Sequence, residues 1–95
     1  MYLINVTVDV GLLSEKYHAQ HVNFLNTQFE NKVFLIFGRN QSRKNSGLII
    51  AQAQSKDELE QVIQLDPYVI HQCAVYEIEA FSPQKIAEDI HLVKA

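Results

Sequence analysis

Two uninterrupted apolar runs limit what this chain can fold into. Residues 33–37 are Val33, Phe34, Leu35, Ile36 and Phe37, and residues 48–51 are Leu48, Ile49, Ile50 and Ala51. Neither run alternates with polar residues, so both are expected to be strands covered on both faces. Between them lies a polar loop from Gly38 to Gly47 that carries Arg39, Arg43 and Lys44.

The flanking sequence supplies the rest of a small fold. Tyr2, Ile4, Val6 and Val8 alternate with Asn5, Thr7 and Asp9, the pattern of a half-buried strand. Gly11 breaks it, Ser14 is the expected cap of a helix with Glu15 in its first turn, and Val22, Leu25 and Phe29 recur at helical spacing until Asn31 and Lys32. Ser55 caps a second helix with Glu58 three residues on and Leu59, Val62 and Ile63 facing inward. Asp66-Pro67 stops that helix, and Pro67 can open one further turn. Residues 73–81 form the last strand, with Ala74, Tyr76, Ile78 and Ala80 on one side and Val75, Glu77 and Glu79 on the other. Ser82-Pro83 then predicts a C-terminal docking helix with Ile86, Ile90 and Val93 as its stripe.

The order is β-α-β-β-α-β, an α+β, ferredoxin-like arrangement in which two helices cover one face of an antiparallel sheet. Ninety-five residues suit one domain, read here as residues 1–81 with a helical extension over 82–95. The other sheet face needs a cover over its apolar middle strands, whereas Asn5, Thr7, Asp9, Glu77 and Glu79 make its other half polar. A second copy of the chain is expected to pack over the apolar half as a homodimer and to leave a polar cleft beside the interface.

Composition narrows the function classes. A net charge of −3 argues against a phosphate-backbone binder, and the strand beginning at Leu48 lacks the stacking aromatics of an RNA-binding sheet. Neither G-x-x-x-x-G-K-[ST] nor G-x-G-x-x-G occurs, so no nucleotide cofactor is expected. No apolar run is long enough to span a bilayer, and the N-terminus carries no leader-like pattern, so the expectation is a cytoplasmic protein without a membrane partner. The single cysteine, Cys73, is read as a small buried hydrophobe.

One pair of residues stands out chemically. His21 shares a helix side with Phe24 and Leu25, and the two helices of this topology run side by side, which can bring Asp66 to it across 45 positions of sequence. A carboxylate that fixes an imidazole's tautomer and stabilises its protonated form makes an acid/base pair. The plainer alternative is that Asp66 caps backbone amides and His21 is a satisfied core histidine. Tyr68 either adds a hydroxyl to the same site or anchors the short helix, and Asp9 is either a second carboxylate or a turn former. Arg39 and Ser46, with Arg43 and Lys44, are candidates to receive an anionic substrate, or else form a solvated hairpin loop. His18 and His21 have an i, i+3 spacing that one metal could use, but no third ligand is placed and His18 is expected to face solvent, so no metal is assigned.

The chain resembles the YciI-like (YCII-related) family of the dimeric α+β barrel group over most of residues 2–81. The residues that carry the likeness are Met1-Tyr2 leading into a strand that ends at Asp9, His21 followed by Val22 and Leu25, Gly38, and above all Asp66-Pro67-Tyr68-Val69 followed by Tyr76-Glu77-Ile78 and Phe81. This resemblance implies a homodimer with a site centred on His21 and Asp66. Related members carry out dehydrochlorination of hydroxylated aromatics, and muconolactone isomerases share the wider fold group. Arg39 stands in place of the Pro usual after that Gly, Gln72 in place of the Gly after the Asp-Pro segment, and Ala80 in place of the Pro before Phe81. The expected function is small-molecule proton transfer of lyase or isomerase type on a small anionic or aromatic ligand. The alternative is a non-catalytic dimeric ligand-binding or protein-interaction module.

Overall fold

The computed structural model describes residues 1–88. Its elements are β1 (Tyr2–Val8), α1 (Leu12–Lys16), α2 (His18–Glu30), β2 (Phe34–Arg39), β3 (Ser46–Ala51), α3 (Lys56–Ile63), α4 (Pro67–Ile70) and β4 (Ala74–Ala80). The four strands form one antiparallel sheet in the order β2-β3-β1-β4, the ferredoxin-like arrangement. The core lies between one sheet face and the helices. Ile4, Val6, Phe34, Ile49 and Ala51 meet Phe24 of α2 and Leu59 and Ile63 of α3 there. Phe24 and Phe34 pack edge to face at 5.9 Å between ring centres.

A bulge explains why β2 does not alternate. Phe34 pairs with Ala51 while Ile36 pairs with Ile50, so Leu35 is an extra residue in the β2 strand. Phe34 and Phe37, three apart, therefore share the helix-facing side, and Ile36 turns to the opposite face. On that outer face Leu3, Ile36, Leu48 and Ile50 cluster beside Asn5, Thr7, Glu77 and Glu79. Among the described residues helices cover only the inner side, and Ile36 and Leu48 are 46% and 39% exposed.

The first helix differs from its expected form in two ways. It is broken at Tyr17, and its first piece is capped at Gly11, so Ser14 is not the cap but a buried third-position residue. The inward stripe of α2 is His21, Phe24 and Gln28, whereas Val22 and Phe29 are partly exposed. Phe29 leans across the edge of the sheet instead, edge to face with Phe37 at 6.0 Å. The second helix matches its reading, with Ser55 Oγ accepting from the Glu58 amide at 3.1 Å and Leu59 and Ile63 buried.

Both α2 and α4 end in Schellman turns. After α2, the amides of Lys32 and Val33 donate to Phe29 and Gln28; after α4, those of Gln72 and Cys73 donate to Val69 and Tyr68. The residues at the turning points, Lys32 and Gln72, have φ of 61° and 57°. Glycine reaches that region without a steric penalty, which accounts for the Gly expected by resemblance at position 72. Residues 82–88 form no helix, and Ile90 and Val93 of the expected C-terminal helix lie outside the described residues.

Truncating Phe34, which is fully buried, to alanine removes a ring from both the sheet core and the Phe24 contact. Phe34→Ala should cost about 3–5 kcal/mol, read as a fall in the urea midpoint with unchanged slope.

Candidate functional site

The site is built on Asp66. Pro67, at the first position of α4, fixes the chain's entry, and Asp66 caps the helix with its side chain accepting from the Tyr68 amide at 3.0 Å. The carboxylate is fully buried and takes two more donors. His21 Nδ1 lies 2.9 Å from both oxygens, and the Tyr76 hydroxyl donates to Oδ2 at 2.6 Å. Three donors from three different elements offset the cost of burying this group.

That arrangement settles the histidine's tautomer. The carboxylate accepts, so Nδ1 of His21 carries the proton and Nε2 is the nitrogen left for chemistry. Among the described residues Nε2 has no hydrogen-bond partner, and His21 lines a hollow. Tyr68 lies flat on the imidazole, ring centres 3.9 Å apart and planes within 6°. Its hydroxyl donates to the Ser14 carbonyl at 2.8 Å and sits 3.2 Å from His18 Nδ1. Ser14 is fixed in turn by Gly11, whose amide donates to Oγ at 2.9 Å and whose carbonyl accepts from it at 3.0 Å. The helix break at Tyr17 is fastened to the end of α4 by a stack on His71 at 3.7 Å.

Burial pushes the phenol of Tyr76 far up, and the adjacent Asp66 carboxylate adds to it, so this group stays a donor. Tyr68 moves up as well, chiefly by burial and then by Cys73 and Asp66. The Cys73 thiol is raised by burial and then by Asp66, which makes it a poor nucleophile.

The hollow has a volume of about 750 Å³ and opens between the helices and the inner sheet face. Val6, Val8, Phe37 and Ile49 supply apolar sheet surface, Val22 and Leu25 apolar helix surface, and His18, His21 and Tyr68 the polar end. The expected cleft over the polar half of the outer face is therefore not where His21 lies. A smaller depression there, about 480 Å³, is lined by Asn5, Arg43 and Glu77 among others, and contains neither His21 nor Asp66. The reason is strand alternation: Asn5 and Glu77 point away from the helices that carry the pair.

The structure brings most of the candidate residues to one place. His21, Tyr68, Arg39 and Ser46 line the hollow, and Asp66 stands directly behind His21. Arg39 is exposed, and among the described residues it has no carboxylate partner. The hydroxyl of Ser46 is engaged by Asn5 Oδ1 at 2.9 Å. Asp9 stands apart, exposed and off the hollow, with its amide on the Cys73 carbonyl at 2.8 Å. Two contributors went unrecognised in the sequence. Tyr76 shares a strand side with Ala74 and Ile78, the side facing the helices, and His18, solvent-exposed as expected, also borders the hollow. Among the described residues no three His, Cys, Asp or Glu side chains are grouped to hold a metal, and no helix is long and apolar enough to cross a membrane.

A ferredoxin-like sheet with a buried His-Asp pair beside a largely apolar hollow defines a small α+β protein of ferredoxin-like fold. The YCII-related domain model matches residues 4–82, and the chain belongs to that family. Two solved structures, with TM-scores above 0.5, share the fold. The 5-chloro-2-hydroxyhydroquinone dehydrochlorinase of Burkholderia phenoliruptrix AC1100, solved with 2,5-dihydroxybenzoquinone, is 16% identical over 86% of this chain and 94% of its own, with a TM-score of 0.64. A Deinococcus radiodurans protein assigned to the antibiotic biosynthesis monooxygenases is 11% identical over 96% of this chain and all of its own, with a TM-score of 0.51. The cofactor-independent oxygenase SnoaB of Streptomyces nogalater covers 93% of this chain at 16% identity, with a TM-score of 0.47. A search of curated proteins finds no match.

The raised tyrosines and thiol give a sign to the alkaline limb of stability. Unfolded, these groups lose protons near their ordinary values of 10.0 and 9.0, while the folded chain retains them. The unfolded state then binds fewer protons, so stability is intact below about pH 9 and falls as pH rises beyond it. Tyr76→Phe should flatten that fall and cost about 2 kcal/mol at neutral pH, both read from urea unfolding across pH 7 to 11.

Proposed function

We propose that this protein is a small-molecule enzyme of lyase or isomerase type in which His21 moves a proton and Asp66 holds its ring. The single observation that supports this most is the pairing of Nδ1 with a fully buried carboxylate while Nε2 is open to an apolar hollow. Proton abstraction by Nε2 creates an imidazolium whose charge Asp66 stabilises. Asp66 is the orienting group. Tyr76 and the Tyr68 amide keep its carboxylate turned to His21.

The hollow also suggests a ligand. Arg39, Gly47, Val6 and Tyr76 form one row across the inner face, so the cationic rim on β2 lies about 10 Å, two strand spacings, from β1. Gly47 puts no side chain between Arg39 and Val6. A flat, largely apolar or aromatic molecule with an anionic group fits this layout, its acidic end at Arg39 and its reactive carbon at His21. The quinone bound in the dehydrochlorinase structure is of that kind.

The second part of the proposal is a homodimer. Leu3, Ile36, Leu48 and Ile50 form an apolar patch on a sheet face that none of the described helices covers, and a second copy would bury it.

Two measurements test this reading. Binding of 2,5-dihydroxybenzoquinone, followed by amide chemical shifts, should move signals of residues lining the hollow and weaken about tenfold or more in Arg39→Gln. Elimination of 5-nitrobenzisoxazole, a general-base probe, should slow about a hundredfold in His21→Ala; equal rates would leave His21 without a catalytic role and favour a binding module. For the dimer, sedimentation should give twice the 10.9 kDa chain mass, and Ile36→Lys should yield monomer.

A further inference from the structure

The mechanism above uses one imidazole, yet the hollow holds two. His18 opens α2 one turn before His21, and both rings contact Tyr68 from different sides: His21 stacks on its face and His18 meets its hydroxyl. The hydrogen-bond directions decide what His18 offers. Tyr68 gives its only proton to the Ser14 carbonyl, so toward His18 its oxygen can only accept. Nδ1 of His18 therefore carries a proton and donates it to the phenol at 3.2 Å. Both histidines are thus held through Nδ1, and both present Nε2 as the remaining nitrogen at the same hollow.

Their surroundings differ in a way that separates their roles. His21 is buried with a carboxylate on its Nδ1; His18 is exposed and backed by a neutral phenol, with solvent at hand to restore a proton it gives away. Its backing is rigid, because the phenol is buried, stacked and bonded to Ser14, and Ser14 is locked to Gly11. Such support is what a side chain on the surface normally lacks.

We propose that His18 is the second catalytic residue of this site, the general acid that protonates the oxygen receiving the electrons released when His21 takes a proton from carbon. This rests on the acid/base reading of His21. In the step, His21 Nε2 removes a proton from a substrate carbon, and the C–H electron pair forms a new π bond. The bond to the leaving or carbonyl oxygen gives up its pair to that oxygen, which takes a proton from Nε2 of protonated His18. Water then returns a proton to His18 and accepts one from His21, so the pair is reset with no net change in the protein.

The test uses two probes that differ in the basicity of the departing oxygen, 5-nitrobenzisoxazole and unsubstituted benzisoxazole, with the wild type, His18→Gln and His21→Ala. Base removal of the C3 proton opens the N–O bond of either to a cyanophenolate, and only the unsubstituted one needs much help at oxygen. His18→Gln should slow the nitro compound about threefold at most and the unsubstituted one about thirtyfold or more. A merely structural role would slow both by one common factor, and that outcome, or no loss at all, overturns the proposal. Rates for both probes unchanged in His21→Ala would instead overturn the acid/base reading itself, and His18's role with it. Tyr68→Phe, which keeps the stack and removes the oxygen that orients His18, should reproduce the unequal loss; equal losses there would count against the proposal as well.

Discussion

A carboxylate with no access to water is an expensive thing to place in a domain of 95 residues, and Asp66 is tolerated only because three donors meet it. They come from the first turn of α2, the start of α4 and the inner side of β4, so the group ties together the helix layer and the far edge of the sheet. Removing any one of them leaves the charge less well matched. The same arrangement occupies Nδ1 of His21 and leaves Nε2 as the nitrogen on which the proposed proton transfer relies. The bonds that hold the fold here are also the ones that orient the proposed base.

The sheet's two faces do different things. On the inner side the bulge at Leu35 brings Phe34 and Phe37 to one surface, the first closing the core and the second forming part of the hollow. On the outer side the same bulge exposes Ile36 next to Leu48 and Ile50. One additional residue in β2 therefore shapes both the space beside His21 and the apolar patch behind it.

Much of this was legible in the sequence. Element order, the Ser55 cap and the strand sides of β1 and β4 follow from periodicity, capping and topology, whereas the approach of His21 to Asp66 was one of two open readings until the family resemblance was added. The failures have local causes. Ser14 looked like a cap because it precedes Glu15, but the helix begins at Gly11 and Ser14 bonds back to it. The α2 stripe was set one position off, because Val22 and Phe29 are apolar whereas the residues facing the core include polar His21 and Gln28, which hydropathy cannot find. The break at Tyr17 left no mark in composition. Tyr76 lay on the correct strand side, yet nothing in the pattern says that its hydroxyl is aimed at a carboxylate ten residues earlier.

Lys32, Asn45 and Gln72 all hold a left-handed backbone conformation, while none of the chain's three glycines does. A side chain there costs about 1 kcal/mol or more, and asparagine bears it best. Because Lys32 and Gln72 sit at helix ends and off the hollow, they are positions where evolution or an engineer could raise thermal tolerance without disturbing the hollow. The turn after α4 would benefit most, since it joins the capping aspartate to the strand whose tyrosine grips it.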